Sequence, residues 1–410
     1  MKVLQINTSI NVSAPGRIAS EIGDVLLDNG HESFVAYGRI CRQTRSSAIK
    51  IGSNKDLLLH VFNSRLVDRH GFSSEKATVR FIDHVKEIDP DLIHLHNLHG
   101  YYIHVGVLFK YLKESNKPVV WTFHDCWPFT GHCSYFDRAN CSRWQSECFK
   151  CPLKRGYPAS WFLDNSTRNY ILKKETFGGL NNLTLVSPSD WLSKHLANSF
   201  LKQYPVKIIN NGLDLEKFKP FDPTSARNKW NLSGKHIILG VANIWSSRKG
   251  FDDFIKLRTL LDSQIEIVLV GLTPRHIKNL PTGIRGICRT DSIEDLSSLY
   301  SAADVFVNPT WIDNFPTVNL EALACGTPVV TYDTGGSVES IDNETGRFVP
   351  KGDVLLLKTS IVKLISEDRH TLRTSCRNRA EKLYDAKSRY CEYLTLYEQL
   401  KDKRQNSVKS

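Results

Sequence analysis

The feature that most constrains this chain is an alternation that runs through it twice. Short apolar segments at 3–6, 33–37, 92–96, 119–123 and 183–187 are each followed by a polar, helix-like stretch. The pattern restarts at 206–209, 237–241, 265–270, 304–307 and 329–332, with helices expected near 250–261, 293–301 and 316–325. Strands separated by helices pair in parallel and are covered on both faces, so they read as continuous apolar runs. The chain is therefore expected to be α/β, with two successive doubly wound domains. Their bounds are read as 1–188 and 205–377, with 191–200 as a linking helix. Tyr390, Tyr393, Leu394, Tyr397 and Leu400 then fall at helical spacing, which predicts an amphipathic helix over 378–403 that packs on one domain.

A length of 410 residues fits two domains of roughly 100–200 residues each. No apolar run approaches the roughly 18 residues that cross a bilayer. The amino terminus, MKVLQINTSIN, reaches the polar Asn7, Thr8 and Ser9 without the apolar stretch of a secretory signal, so a cytoplasmic protein is expected. There are 54 Lys and Arg against 43 Asp and Glu, a formal charge of +11. Such a surplus suits nucleic acid, an anionic lipid surface or a phosphate-bearing ligand. Nucleic acid is the weakest of the three, because no basic run is interleaved with aromatics and no zinc-finger pairing or RNP-type strand is present. A nicotinamide oxidoreductase is disfavoured as well, since no G-x-G-x-x-G follows the first strand.

In open parallel sheets, ligands gather beyond the carboxyl ends of the strands, and the informative residues should lie there. The first strand runs into Ser13-Ala14-Pro15-Gly16 and a helix beginning near Arg17, whose amino end faces that edge. After 237–241 comes Trp245-Ser246-Ser247-Arg248-Lys249-Gly250. Two cations and a glycine at a helix mouth offer a diphosphate both side-chain charge and backbone N–H groups; the plainer reading is a solvated helix start. After 304–307 the loop carries Asp313, and a helix opened by Pro316 carries Glu321 on its second turn. Carboxylates so placed can accept paired hydrogen bonds from the vicinal hydroxyls of a sugar or ribose. Helix capping by Asp313 or Asn314 is the alternative. Asp333-Thr334-Gly335-Gly336-Ser337 again offers backbone donors to an anion, and the strand at 119–123 leads directly to His124. His94, His96 and His99 end a further strand; acceptor-site lining or packing suits them better than a metal cluster.

Together these residues resemble the family 4 retaining glycosyltransferases of GT-B fold. The resemblance is carried by Lys249-Gly250, by Asp313 through Glu321 into Ala322-Leu323-Ala324-Cys325-Gly326-Thr327-Pro328-Val329-Val330, and by Gly335-Gly336 with Glu339. Asn211-Gly212-Leu213-Asp214 with Phe218 is similar to the start of that family's second domain. The run His124-Asp125-Cys126-Trp127-Pro128-Phe129-Thr130-Gly131, with the cysteines that follow, resembles the branch of colanic acid, exopolysaccharide and O-antigen transferases.

The resemblance implies two Rossmann-like domains facing across a cleft, the acceptor on the first and a nucleotide-sugar donor on the second. It implies that Lys249, with Arg248, contacts the diphosphate, as does backbone near Phe315 and Pro316. By the same carry-over Asp313 contacts the donor sugar, Glu321 holds the ribose, and Gly16 lets backbone approach the donor phosphate or acceptor. His124 would contact the donor sugar or β-phosphate and assist departure of the leaving group. Two positions depart from the family: Asn243 stands where an Arg is usual, and Asp313 where a Glu is usual.

The implied reaction is front-face substitution by a retaining hexosyltransferase, with no separate nucleophile and no cofactor or metal required for catalysis. The donor is expected to be a UDP-sugar such as UDP-galactose or UDP-glucose, ahead of a GDP-sugar. The acceptor is expected to be a lipid-linked glycan in bacterial cell-surface polysaccharide synthesis, reached by peripheral contact with the cytoplasmic face of the membrane. Two other classes stay open. A sugar-nucleotide epimerase fits the Asp313 to Glu321 block and the His124 segment poorly, and a noncatalytic glycan-binding homologue has the changed Asn243 and Asp313 in its favour.

Ten cysteines are present, and five crowd into the stretch from Cys126 to Cys151. In a cytosolic protein these are not expected to form disulfides. Cys133, Cys141, Cys148 and Cys151 have spacing C-x7-C-x6-C-x2-C. With a single C-x2-C pair, a structural zinc and four free thiols are evenly balanced. A zinc would fold an insertion, 126–152, that reads as too poor in apolar residues to fold by itself.

Overall fold

The structure is a computed structural model that describes residues 1–409, with side chains to 406. The chain divides into two compact units, 1–210 with 390 onward, and 211–389. In the first, β1 (Lys2–Asn7), β2 (Glu32–Tyr37), β3 (Ser47–Lys50), β4 (Leu92–Leu95), β5 (Val119–Thr122), β6 (Leu183–Ser187) and β7 (Val206–Ile208) form one sheet. Its order is β3-β2-β1-β4-β5-β6-β7, and every pairing is parallel. The helices α1 (Ser13–Asp28), α2 (Asn54–Val67), α3 (Glu75–Ile88), α4 (Val105–Ser115), α5 (Ser166–Phe177) and α6 (Asp190–Ala197) connect the strands. The central strands are buried throughout, as a sheet covered on both faces requires.

The second unit repeats the plan. Its strands β8 (His236–Val241), β9 (Ile265–Val270), β10 (Ile284–Ile287), β11 (Val305–Asn308), β12 (Val329–Tyr332) and β13 (Gly346–Val349) run in the order β10-β9-β8-β11-β12-β13, all parallel. Its helices are α7 (Pro223–Lys229), α8 (Phe251–Leu260), α9 (Pro274–Lys278), α10 (Ile293–Ala302), α11 (Thr317–Ala324), α12 (Val354–Ser366) and α13 (Arg369–Leu383). Strand order reverses between β1 and β4, and again between β8 and β11. At such switch points neighbouring connections leave in opposite directions and open a crevice at the carboxyl ends.

The structure differs from the sequence reading in four places. The segment at 206–209, assigned above to the second domain, is β7 on the edge of the first sheet, paired to β6 through Leu185–Val206. The stretch at 191–200 is mostly α6 and lies inside the first unit rather than between domains. The expected helix over 378–403 is two helices, α13 and α14 (Ala386–Lys409). The break has a backbone cause: the Leu213 N–H donates to the Tyr384 carbonyl at 2.7 Å, and the Leu213 carbonyl accepts from Ala386 N–H at 3.0 Å. Finally, the insertion after β5 is not poor in core. Trp127, Phe129, Phe136 and Trp144 are all buried, with Phe129 and Phe136 rings 5.1 and 4.6 Å from Trp144. Aromatics of this size supply a core without a metal.

On α14, Tyr390, Tyr393 and Tyr397 are buried, while Leu394 and Leu400 are half-buried. The Tyr397 hydroxyl meets His94 Nδ1 at 2.6 Å, and His94 Nε2 meets Thr122 Oγ1 at 2.8 Å. Thr122 in turn meets the Tyr393 hydroxyl at 3.1 Å. His94 is therefore a packing histidine that joins β4, β5 and the carboxyl-terminal helix.

Candidate active site

In the second unit, the ends of β8 and β11 bring together residues 64 positions apart: Lys249 Nζ lies 2.5 Å from Asp313 Oδ2. Neither partner is far from water, with side chains 21% and 16% exposed. The other Asp313 oxygen accepts the Asn314 N–H at 3.1 Å. Burial pushes the Asp313 carboxyl upward, but Lys249 and Arg248 more than offset this and hold it below the usual carboxylate range. Arg248 is tied into the same loop, its guanidinium donating to the Ile312 carbonyl at 3.0 Å while its own carbonyl accepts the Trp311 N–H at 2.8 Å.

Two glycines make this closeness attainable. Gly250 has φ +75°, and a Cβ there would lie 2.2 Å from the Pro309 carbonyl oxygen. Gly335 has φ +56°, and its Cβ would lie 1.8 Å from the Asp313 carbonyl oxygen. Any side chain at either position would push the Lys249 loop or the 333–337 turn away from the Asp313 loop.

The helix α11 begins at Thr317 with Pro316 as its cap, and no side chain caps it. Its amino end carries partial positive charge and N–H donors, next to a lysine and an arginine on the adjoining loop. Phe315 is buried, and its carbonyl accepts from Asn211 Nδ2 at 3.0 Å, which fixes the backbone leading into α11. Asn319 anchors the helix from within: its Oδ1 accepts from Asn308 at 2.9 Å and its Nδ2 donates to Ser340 Oγ at 2.9 Å. Glu321 is 3% exposed and accepts from the Tyr300 hydroxyl at 3.0 Å. The sequence marked Lys249, Asp313 and Glu321 for a ligand but gave no sign that the first two hold each other.

In the first unit, Gly16 lies in the first turn of α1, and its carbonyl accepts the Asn11 N–H at 2.9 Å. A Cβ on Gly16 would come 3.0 Å from the Ser9 carbonyl oxygen, so glycine here lets α1 close on its own loop.

His124 follows β5 and belongs to a hydrogen-bonded chain that fixes its tautomer. Gln5 Nε2 donates to the Ala19 carbonyl at 2.8 Å, which leaves Gln5 Oε1 facing His96 Nε2 at 3.0 Å. His96 Nε2 must then carry the proton and its Nδ1 the lone pair. His96 Nδ1 is 3.2 Å from His124 Nε2, so His124 donates from Nε2 and keeps an unprotonated Nδ1. Burial pushes the His124 imidazole down to about 4 and His96 well below its ordinary value, so both are neutral at neutral pH.

A second chain adjoins it, and the sequence reading missed it. His99 Nε2 lies 2.7 Å from Asp125 Oδ2, and His99 Nδ1 lies 3.0 Å from the Tyr157 hydroxyl. Asp125 Oδ1 accepts the Trp127 N–H at 2.9 Å. Burial pushes Asp125 upward, but His99 and the Trp127 N–H hold it below the usual range. The chain fixes the turn that carries His124. Its sequence signals are His99 near the end of β4 and the position of Asp125 beside His124.

The three histidines of the β4 edge thus go separate ways, to α14, to His124 and to Asp125. Cys133, Cys141, Cys148 and Cys151 line one small cavity together with His132, Phe136 and Trp144. The Gly131 N–H points at Cys148 Sγ at 3.2 Å. Among the described residues, no three His, Cys, Asp or Glu side chains stand where they could share a metal ion.

Two Rossmann-like domains in succession are the architecture of the GT-B glycosyltransferases. The chain belongs to glycosyltransferase family 4: residues 16–217 match the family model described as Glycosyltransferase Family 4, and residues 235–367 that described as Glycosyl transferases group 1. It is 24% identical over 425 residues to the putative colanic acid biosynthesis glycosyl transferase WcaC of Escherichia coli, covering 98% of this chain and 100% of that one. It is 25% identical over 280 residues to the N,N'-diacetylbacillosaminyl-diphospho-undecaprenol alpha-1,3-N-acetylgalactosaminyltransferase of Campylobacter jejuni, covering 63% and 73% of the two chains. Among solved structures, sucrose-phosphate synthase from Thermosynechococcus elongatus superposes with a TM-score of 0.73 at 19% identity, covering 97% and 98%. HepE of Anabaena in complex with UDP superposes at 0.69 and 15% identity, covering 97% and 100%. No helix among the described residues is long and apolar enough to cross a membrane.

Proposed function

We propose that this glycosyltransferase moves a hexose from a nucleotide diphosphate sugar to a lipid-linked glycan, with retention at the anomeric carbon, in the synthesis of a bacterial surface polysaccharide. The observation that carries the donor half is the Lys249–Asp313 contact beside the uncapped start of α11. It puts an ammonium and a helix start without a side-chain cap at one sheet edge, which suits a diphosphate. Glu321 would accept from ribose hydroxyls, and Asp313 would both hold Lys249 and face the donor sugar. The leaving diphosphate, stabilised by Lys249, Arg248 and the α11 amino end, would take the acceptor proton, so no protein nucleophile is needed. His124, neutral and with its lone pair on Nδ1, is suited to accept from a sugar hydroxyl and not to donate to a phosphate.

The acceptor half of the proposal rests on relatives: one is named for colanic acid synthesis and another for a diphospho-undecaprenol-linked substrate. UDP is the first nucleotide to try. Thermal stabilisation by UDP, GDP and ADP tests the donor class, because a ligand that binds only the folded state raises stability by mass action. Stabilisation by one nucleoside diphosphate is expected, and none by any of them would sink the proposal. With the donor in hand, His124→Ala should lower turnover more than it weakens donor binding. We also propose a structural zinc on Cys133, Cys141, Cys148 and Cys151, supported by their convergence on one cavity. It requires the thiols to rotate from where they stand, and it has no part in catalysis.

A further inference from the structure

Single exposed apolar side chains are ordinary on a folded surface, whereas a contiguous group marks a contact. In the first unit six gather on two segments that the backbone ties together. The helix α2 exposes Leu58 (68%), Leu59 (61%) and Phe62 (58%), and the loop before α5 exposes Trp161 (59%), Phe162 (68%) and Leu163 (51%). The Trp161 N–H donates to the Arg65 carbonyl at 2.7 Å and the Leu163 N–H to the Leu66 carbonyl at 3.4 Å, which lays the loop along the last turn of α2. Leu58, Phe62 and Arg65 follow one another at helical spacing, and the Arg65 guanidinium sits 5.4 Å from the centre of the Trp161 ring. The result is one face: a leucine and phenylalanine stripe that continues through Arg65 into Trp161, Phe162 and Leu163.

The face is rigidly mounted. A capping box of Ser53 and Asp56 starts α2, and Asn165 Nδ2 donates to the Val67 carbonyl at 2.7 Å near its end. Its exposed charges are predominantly basic. Lys55, Arg69 and Arg155 are exposed on these segments. The acids nearby are all hydrogen-bonded: Asp56 in the capping box, Asp68 buried against His132 at 2.6 Å, and the exposed Asp164 on the N–H groups of Cys151 and Ser166. Tryptophan and phenylalanine flanked by lysine and arginine match the interfacial zone of a bilayer, where aromatic rings sit at headgroup depth and cations meet lipid phosphates.

We propose that α2 and residues 161–163 form the surface by which this protein docks on an anionic lipid bilayer. This rests on the reading above that the acceptor is lipid-linked, and it assigns to a particular face the contact which that reading requires.

The test is flotation of the full chain with vesicles of phosphatidylcholine alone and of phosphatidylcholine mixed with phosphatidylglycerol. Wild-type protein should float with the mixed vesicles, less so as salt rises, and little with phosphatidylcholine alone. The variant Phe62→Ser/Trp161→Ser/Phe162→Ser should lose at least about tenfold in vesicle affinity, because the exposed part of each ring would be buried only at the membrane. Its melting temperature and its stabilisation by a nucleoside diphosphate should stay unchanged, since these side chains are exposed in the free protein. Lys55→Gln/Arg69→Gln/Arg155→Gln should lose the salt-dependent part alone. Failure of the wild type to float with anionic vesicles, or undiminished flotation of the triple serine variant, overturns the proposal. If nucleotides stabilise the protein while flotation fails, the docking surface alone is wrong. If flotation follows the expected pattern while no nucleotide binds, the surface stands and the donor reading falls.

Discussion

Replacing Lys249 with methionine removes the ammonium while keeping the length of the side chain, and the structure fixes what should follow. In the free protein Lys249 holds Asp313 at 2.5 Å, with the carboxylate 16% exposed and its other oxygen accepting the Asn314 N–H. Breaking a fully buried ion pair costs about 3–5 kcal/mol. Partial exposure and the nearby Arg248 reduce this to about 2 kcal/mol, enough to lower the melting temperature but not to unfold the unit. The functional loss should be of similar size. A charge-assisted hydrogen bond is worth about 1.5–3 kcal/mol, so the Kd of the stabilising nucleoside diphosphate should rise about tenfold to about 150-fold by calorimetry. The informative partner is Asp313→Asn, which keeps the shape and removes the charge that competes for the ammonium. If Lys249 meets the diphosphate, Asp313→Asn should bind the nucleoside diphosphate as tightly as wild type or more tightly, while transfer from the nucleotide sugar falls. Wild-type affinity in Lys249→Met refutes the assignment. So does an equal loss in both variants, because the pair would then serve only to hold the two loops together.

Glu321→Gln keeps the bond from Tyr300 and the packing of a side chain only 3% exposed, so the fold should survive. Donor affinity should nevertheless fall about tenfold or more from the loss of a charged acceptor for ribose hydroxyls, and unchanged affinity would remove Glu321 from the site. Stability should depend steeply on acid. Burial pushes His60 down to about 3, His124 to about 4, and His70, His94 and His96 well below the ordinary value. Below pH about 6.5 the unfolded chain binds protons at these imidazoles while the folded unit does not. Their full contribution is thus present above pH about 6.5 and is lost as pH falls toward the folded values, by up to about 1.4 kcal/mol per pH unit for each group. Urea unfolding between pH 7 and pH 5 should report uptake of at least about two protons, and a flat profile would contradict the burial of these rings. For the cysteines, metal analysis of the purified, reduced protein decides: below about a tenth of an equivalent of zinc, the four-thiol site is rejected.

How far the sequence could be read follows from where residues sit in the two sheets. The central strands were legible because burial on both faces forces them to be apolar: LIHL in β4 and VVWT in β5 are fully buried. The three strands that went unrecognised, β3, β10 and β13, all lie at a sheet edge. Edge strands bury less, and SAIK, IRGI and GRFV carry the polar residues and glycines that half-exposure permits. The fourth edge strand, β7, was recognised as a strand but assigned to the wrong sheet, because periodicity says nothing about which sheet a strand joins.

The same limit explains the site. Lys249, Asp313 and Glu321 were legible one by one, the first two in loops that follow a strand and the third on the helix after one. The relations among residues were not, because they are set by register. Gln5 faces His94 across β1 and β4, and His96 lies one step beyond the paired segment, where its ring can reach both Gln5 and His124. A strand slipped by one residue would turn each of these side chains to the opposite face and dissolve the chain that fixes the His124 tautomer. On the proposed function, the role of His124 would therefore depend less on its own identity than on Gln5, which lies more than a hundred residues away in sequence and draws no attention as a lone amide on a strand. Gln5→Leu tests this directly: it should free His96 to take either tautomer, release the lone pair of His124 from Nδ1, and lower turnover with little change in nucleotide affinity. If turnover is unaffected, the chain is packing and the orientation of His124 is set elsewhere.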